Sequence, residues 1–145
     1  MAAGVSLTKM ADELRTLVEY QQTPRVITQD EYQAMILHGI KRLLIDTGRA
    51  AEFDPEKLIA EGNDIIYNAD FGIDEIEYIM LVAQMRFFGM IRASVNAMVS
   101  YSTNALTVTQ GDKPYANITG TLKELENERR IVYYKMVGYT IAVNE

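Results

Sequence analysis

The side chains that could do chemistry in this chain are few, and their spacing fits no catalytic or metal-binding motif. The sequence has one histidine, His38, and no cysteine, which excludes disulfides and thiolate metal sites. Glycine-rich phosphate loops and a nucleophilic serine in a strand–turn–helix elbow are also missing. Four carboxylates could bind calcium, but they do not follow the twelve-residue calcium-loop pattern: Asp64, Asp70, Asp74 and Glu75. We therefore expect no enzymatic activity, no cofactor and no metal.

The net charge of −6 is concentrated in one segment. Between residues 52 and 77, nine acids stand against a single base, Lys57, a local balance of −8. Such a segment would repel a phosphate backbone, so it argues against specific duplex binding. It is either a solvated face, or a surface that lets nucleic acid slide past or binds a basic partner. The acids that we assign to this surface are Asp54, Glu56, Glu61, Asp64 and Asp70.

Two amphipathic helices with recognisable ends open the chain. Apolar residues at three- and four-residue spacing predict a first helix over residues 6–20. Thr28 and Glu31 form a capping box before a second helix, which stops near Gly48. His38 lies beside the apolar face of this second helix, where a lone histidine is more often a packing residue than a ligand.

Further along, cap-plus-proline pairs mark two more helix starts. Asp54-Pro55 predicts a short helix that ends at about residue 60, and Asp112-Lys113-Pro114 predicts the start of the last helix. Between these two helices, Asp74 and Glu75 occupy the favourable N-terminal end of a long apolar helix. The chain is therefore expected to be all-α, with about four to five helices in a single domain over residues 1–145.

The long apolar helix, residues 73–100, is the central element of this prediction. Between residues 79 and 100 its only charges are Arg86 and Arg92. Apolar side chains point in every direction, and such a helix must be surrounded by its own chain or by other subunits. A chain of 145 residues offers little to surround it, which suggests an assembly protein. Polar residues interrupt the helix too often for a membrane span.

The end of the chain combines charge with aromatic and β-forming residues. Arginine and tyrosine are enriched in protein interfaces, so we expect partner contacts through Arg129, Arg130, Tyr133 and Tyr134, although a solvated face would show the same mixed charge. Residues 105–109 and 139–143 alternate as strands do. They could pair as a minor ribbon near the C-terminus, or the C-terminal segment could add to a partner's sheet.

Three features occur in an order that resembles a known family. They are residues 28–32 leading into the helix 33–45 with 46–49 at its end, the long apolar helix 73–100, and residues 107–112 opening a mixed-charge helix and a short tail. This arrangement, over residues 24–143, resembles the small helical head–tail connector (adaptor) proteins of tailed bacteriophages. The first helix is harder to match to that family.

The resemblance implies a structural protein of the virion, assembled in the host cytoplasm. Connector subunits are mostly helical and form homo-oligomeric rings, commonly of twelve, between the portal protein and the tail or tail-completion proteins. DNA passes through the ring without sequence-specific binding. The acidic region would line this channel. An extended C-terminal tail, residues 138–145, would dock onto the portal through Tyr139, Ile141 and Val143.

Two other classes of protein stay open. A cytoplasmic helical regulator that binds one partner through its last helix would explain the mixed charge and the lack of catalytic residues equally well. It explains less well the extended tail and the long apolar helix. A small enzyme that uses the carboxylates of residues 70–77 would need a metal, which their spacing does not support.

Overall fold

The computed structural model describes residues 4–101 and 117–138, except the side chains of residues 95–101 and 138. This part of the chain is mostly helical, with a small three-stranded sheet. Its α-helices are α1 (Leu7–Val18), α2 (Gln29–Asp46), α3 (Ile73–Tyr101) and α4 (Ile118–Tyr133), and a π-helical turn, Tyr134–Gly138, follows α4. Its strands are β1 (Val5–Ser6), β2 (Leu58–Glu61) and β3 (Asp64–Tyr67).

The helical character of the fold is as predicted, and the small sheet is an element that the sequence analysis did not predict. The cap-plus-proline pair Asp54-Pro55 forms a single 3-10 turn, Pro55–Lys57, and the chain then enters β2 instead of the predicted short helix. β2 and β3 pair in antiparallel fashion across a two-residue loop, and β1 adds to the other edge of β3. Gly62 opens the loop with a φ of +62°, the sign that the first position of a type II′ turn requires.

Both N-terminal helices begin with a side-chain cap. The Ser6 hydroxyl accepts a hydrogen bond from the backbone N–H of Lys9 at the start of α1. At the start of α2, Thr28 and Glu31 satisfy each other's backbone N–H groups, so the capping box is confirmed. α2 ends at Asp46, close to the predicted stop at Gly48.

α2 and α3 pack closely and run in opposite directions. Gly39 sits at their crossing, where a Cβ atom would lie 2.6 Å from the carbonyl oxygen of Ile79. Toward the other end of the pair, Tyr32 stacks on Phe87 with ring centroids 6.2 Å apart. At Gly39, only a residue without a side chain permits the two helix backbones to approach so closely.

The described part of α3 is largely covered by the chain itself. Tyr78, Ile79, Phe87, Phe88 and Ile91 are almost completely buried because α1, α2 and α4 all pack on α3. Of the two sources of cover that the sequence left open, the chain itself therefore supplies most of the cover for residues 78–91. α1, α2 and α4, together with the close contact between α2 and α3, bury more of α3 than we expected of a chain of this length.

α4 completes the bundle through a seam at seven-residue spacing. Ile118, Leu125 and Val132 are all buried, and their spacing is that of a heptad-like seam. Asn117 precedes the helix in the left-handed conformation, with a φ of 73°. Several predictions fall on residues that the structure does not describe: the helix start at 112–114, the strands 105–109 and 139–143, and the tail from residue 139 onward. Gly138, the first residue of the predicted tail, belongs to the π-helical turn.

In the described ranges, no helix combines the length and the apolar character needed to cross a bilayer.

Candidate functional site

An open groove of about 1130 Å³ lies between α2, α3 and α4. Its floor is apolar, and arginines, acids and tyrosines surround it. The apolar side chains of the floor come from two helices: Met35 from α2, and Val82, Met85 and Met90 from α3. Methionine adapts its shape to different partners, so this floor suits a protein segment better than a small polar substrate.

A polar network holds the three helices together at one end of the groove. Arg129 of α4 donates a hydrogen bond to the hydroxyl oxygen of Tyr78 on α3 at 2.8 Å. The Tyr78 hydroxyl in turn donates to the carboxylate of Asp46 at the end of α2. Arg129 also forms a bidentate pair with Glu126, with N–O distances of 2.7 and 2.6 Å. The network fixes the position of α4 relative to the other two helices.

The pKa shifts in this network are those of a structural contact and not of a group that transfers protons. Burial, together with the hydrogen bond to Asp46, raises the pKa of Tyr78 to about 12, so the phenol stays protonated. The hydrogen bond from Arg129 lowers the pKa of Glu126, and the same bond raises the pKa of Arg129. None of these groups is poised to exchange a proton near pH 7.

His38 lines the groove but lacks the partners that a catalytic or metal-binding histidine needs. Burial lowers its pKa, and the nearby cations Arg86, Arg42 and Lys41 lower it further, so the imidazole is neutral at pH 7. In the described ranges, no group of three histidine, cysteine or acidic side chains is placed to hold a metal ion.

The structure brings together the predicted contact residues of the last helix. Arg129, Arg130, Tyr133 and Tyr134 all line the groove. Arg129 is engaged within the chain, with its side chain 22% exposed, whereas the side chain of Arg130 is 61% exposed. Tyr134 is 60% exposed and packs edge-on against Tyr133. The other three predicted contacts, Tyr139, Ile141 and Val143, lie outside the described residues.

The predicted acidic surface divides into acids with local partners and free acids. Asp54 accepts a hydrogen bond from the backbone N–H of Glu56, and Asp64 accepts one from the hydroxyl of Ser6 at 2.5 Å, which lowers the pKa of that carboxyl. Glu56, Glu61 and Asp70 are exposed. The acidic residues of this surface do not line the groove.

Arg86 is a groove residue that the sequence analysis did not assign to a site. It is exposed on α3, and it forms no ion pair with any other described residue. The signal was present, since Arg86 is one of only two charges between residues 79 and 100. A charge on an otherwise apolar helix marks the face that the fold leaves open.

Comparisons of the chain with protein-family models, curated proteins and solved structures give no match. The groove is therefore interpreted from its own chemistry. An apolar floor with an arginine and tyrosine rim has the composition of a protein-binding surface.

Proposed function

We propose that this chain is a structural subunit of a bacteriophage head–tail connector, which forms a ring between portal and tail around the DNA channel. The observation that carries the proposal is the groove, because its exposed Arg130 and Tyr134 are residue types that dominate binding energy in interfaces. The mostly helical fold agrees with the resemblance in residues 24–143.

The acidic surface supports the second part of the proposal. Glu56, Glu61 and Asp70 are exposed and lie away from the groove, so subunit contacts through the groove leave them free. Carboxylates that face the channel would repel the phosphate backbone and let DNA pass without binding.

The remaining partners follow from the resemblance. The C-terminal segment would dock onto the portal through Tyr139, Ile141 and Val143, and tail or tail-completion proteins would bind the opposite side of the ring. The ring would be located at the head–tail junction of the virion and assembled in the host cytoplasm.

A second candidate function is a helical regulator that binds one protein through α4. The cover of α3 by its own chain favours this alternative, because Tyr78, Phe87 and Ile91 are buried without a neighbouring subunit. A regulator of this kind would use the same groove but would bind its partner in a one-to-one complex.

Affinity capture of the tagged full chain from lysing, phage-producing cells tests the two functions against each other. The connector predicts portal and tail proteins by mass spectrometry and ring-shaped particles by electron microscopy. A matched variant with serine at Tyr139, Ile141 and Val143 should lose portal while it keeps the rings. One host protein at a one-to-one ratio, without rings, would instead establish the regulator.

A further inference from the structure

The first turn of α3 presents an apolar side chain beside free acids. Ile73 is 88% exposed, and Asp74 and Glu77 are exposed beside it. Glu75 differs from these two acids because it pairs with Arg49 at 2.5 Å. Ile73 and Glu77 are four residues apart and therefore share one helix face. We call Ile73, Asp74 and Glu77 the α3 knob.

The groove between α2, α3 and α4 has a small excess of positive charge, because four arginines and three acids line it. One of these acids, Glu31, pairs with Arg25 at 2.5 Å. Most charged side chains at the groove already have an ionic partner within the chain. Asp46 pairs with Arg42 at 2.8 Å, and Glu126 pairs with Arg129 at 2.6 Å. Arg86 has no ionic partner among the described residues, and Arg130 has only a contact of 3.6 Å with Glu126. Two exposed guanidinium groups are thus available to acids that enter the groove.

The groove also has room for an apolar side chain. Met85 and Met90 are half-buried in its floor, and both could pack on an entering isoleucine. Ala34 and Ala93 are exposed along its walls, where their short side chains leave the entrance open. An apolar floor beside two arginines therefore complements an isoleucine beside two carboxylates.

The α3 knob cannot fill the groove of its own chain. Ile73 and Arg86 belong to the same helix, and thirteen residues at a rise of about 1.5 Å each separate them by about 20 Å along its axis. A rigid helix cannot bring these two positions together. A contact between the α3 knob and this groove would therefore join two copies of the chain.

We propose that the α3 knob of one copy docks into the groove of the next copy. Ile73 packs on Met85 and Met90 of the neighbour, while Asp74 and Glu77 pair with the neighbour's Arg86 and Arg130. This inference rests on the proposed function, since it names the contact that builds the ring. Two different surfaces meet, so the contact is heterologous, the type that closes into rings when the rotation permits.

The absence of cysteine from the chain makes cross-linking a direct test. Full-length Gly72→Cys protein, whose exposed cysteine lies next to an intact Ile73, is mixed with full-length Ala93→Cys protein, and a short bismaleimide joins cysteines that come close. The heterodimer should form about tenfold faster than in a matched mixture with Thr16→Cys on α1, since local concentration governs such reactions. Equal rates in the two mixtures would overturn the proposed contact.

Charge exchange tests the ionic part of the contact. Introduction of Arg86→Glu and Arg130→Glu into the Ala93→Cys copy should reduce the cross-linking rate to that of the Thr16→Cys control. Asp74→Lys and Glu77→Lys in the Gly72→Cys copy should then restore cross-linking with the groove whose charge has been reversed. Rates that do not respond to either exchange would refute the proposed charge pairing.

The outcomes separate this contact from the connector function. Rings captured with portal in the absence of knob-to-groove cross-links would overturn the contact and leave the connector function standing. Cross-links in a protein that never captures portal would support the contact and overturn the connector function.

Discussion

Arg129 donates to the hydroxyl of Tyr78 across 51 positions of the chain, at 2.8 Å, and this bond ties α4 to α3. The same hydroxyl donates to Asp46 at the end of α2. One buried tyrosine therefore connects the three helices that form the groove. This connection adds to the apolar packing that holds the groove in shape.

Tyr78→Phe should destabilise the fold. The substitution removes the hydroxyl but keeps the ring, so Arg129 and Asp46 lose a partner, at a cost of about 1–3 kcal/mol in the free energy of unfolding. Urea denaturation followed by circular dichroism measures this change. Tyr134→Phe is the matched control and should shift stability by less than about 0.5 kcal/mol. Equal effects of the two substitutions would show that the network does not stabilise the bundle.

Gly39→Ala should also destabilise the fold, through a steric clash. The new Cβ would lie 2.6 Å from the carbonyl oxygen of Ile79, so α2 must move away from α3 at a cost of about 1–3 kcal/mol. Gly89 on α3 is the matched control, because a Cβ there meets nothing within 4 Å.

Alanine at the control position should stabilise the protein by about 0.5–1 kcal/mol, since it favours the helix. Thermal melts of both variants measure the two effects. A stabilising Gly39→Ala would contradict the close crossing of α2 and α3.

Stability should fall on acidification because of Glu31. Hydrogen bonds from Arg25 and from the backbone of Thr28 lower the pKa of Glu31 from 4.5 to about 2 in the folded state. A lowered folded-state pKa stabilises the protein above the unfolded-state pKa, and the stabilisation is lost as the pH falls from 4.5 to about 2. Melting temperatures measured over this range should therefore fall.

Glu31→Gln should make this decline shallower, because the glutamine cannot titrate. Glu13→Gln serves as the control, since Glu13 is exposed and forms no ion pair among the described residues. Glu13→Gln should leave the acid dependence unchanged. If the melting temperature of the Glu31→Gln protein falls as steeply with pH as that of the wild type, Glu31 is not the cause of the decline.

Tyr134→Ala should weaken assembly without loss of fold. The side chain is 60% exposed at the rim of the groove, so truncation should change the free energy of unfolding by less than about 0.5 kcal/mol. Loss of an aromatic contact in an interface should weaken ring association about tenfold or more. Sedimentation velocity of the full chain measures this change.

Tyr20→Ala is the matched control for Tyr134→Ala. Tyr20 is 70% exposed and lies outside the groove, so its truncation should leave ring association unchanged. If both variants associate as the wild type does, the groove is not the subunit interface.

The start of α2 could be predicted because its signal is local. Thr28 and Glu31 lie three residues apart and meet within one turn, so the sequence alone predicts their contact. The β2–β3 hairpin was missed because its first signal, Asp54-Pro55, is common to helix starts and isolated 3-10 turns. The strands themselves have only four residues each, too few for a clear alternating pattern.

The groove could be predicted only in part. Arg130, Tyr133 and Tyr134 lie within five residues at the end of α4 and the start of the π-helical turn, so their common surface follows from helical spacing. The pairing of Arg129 with Tyr78 and Asp46 depends on how three helices pack, and sequence spacing contains no information about that. For the same reason, only the folded structure shows that Arg129 bonds within the chain and that Arg86 lines the same groove.

Immunogold labelling of purified phage particles is the measurement that tests the connector function most directly. The particles come from cells that express the tagged full chain during phage production, and electron microscopy records where the gold lies. Our account predicts gold at the junction of head and tail. Particles without gold, with the tagged chain only in the host lysate, would contradict it.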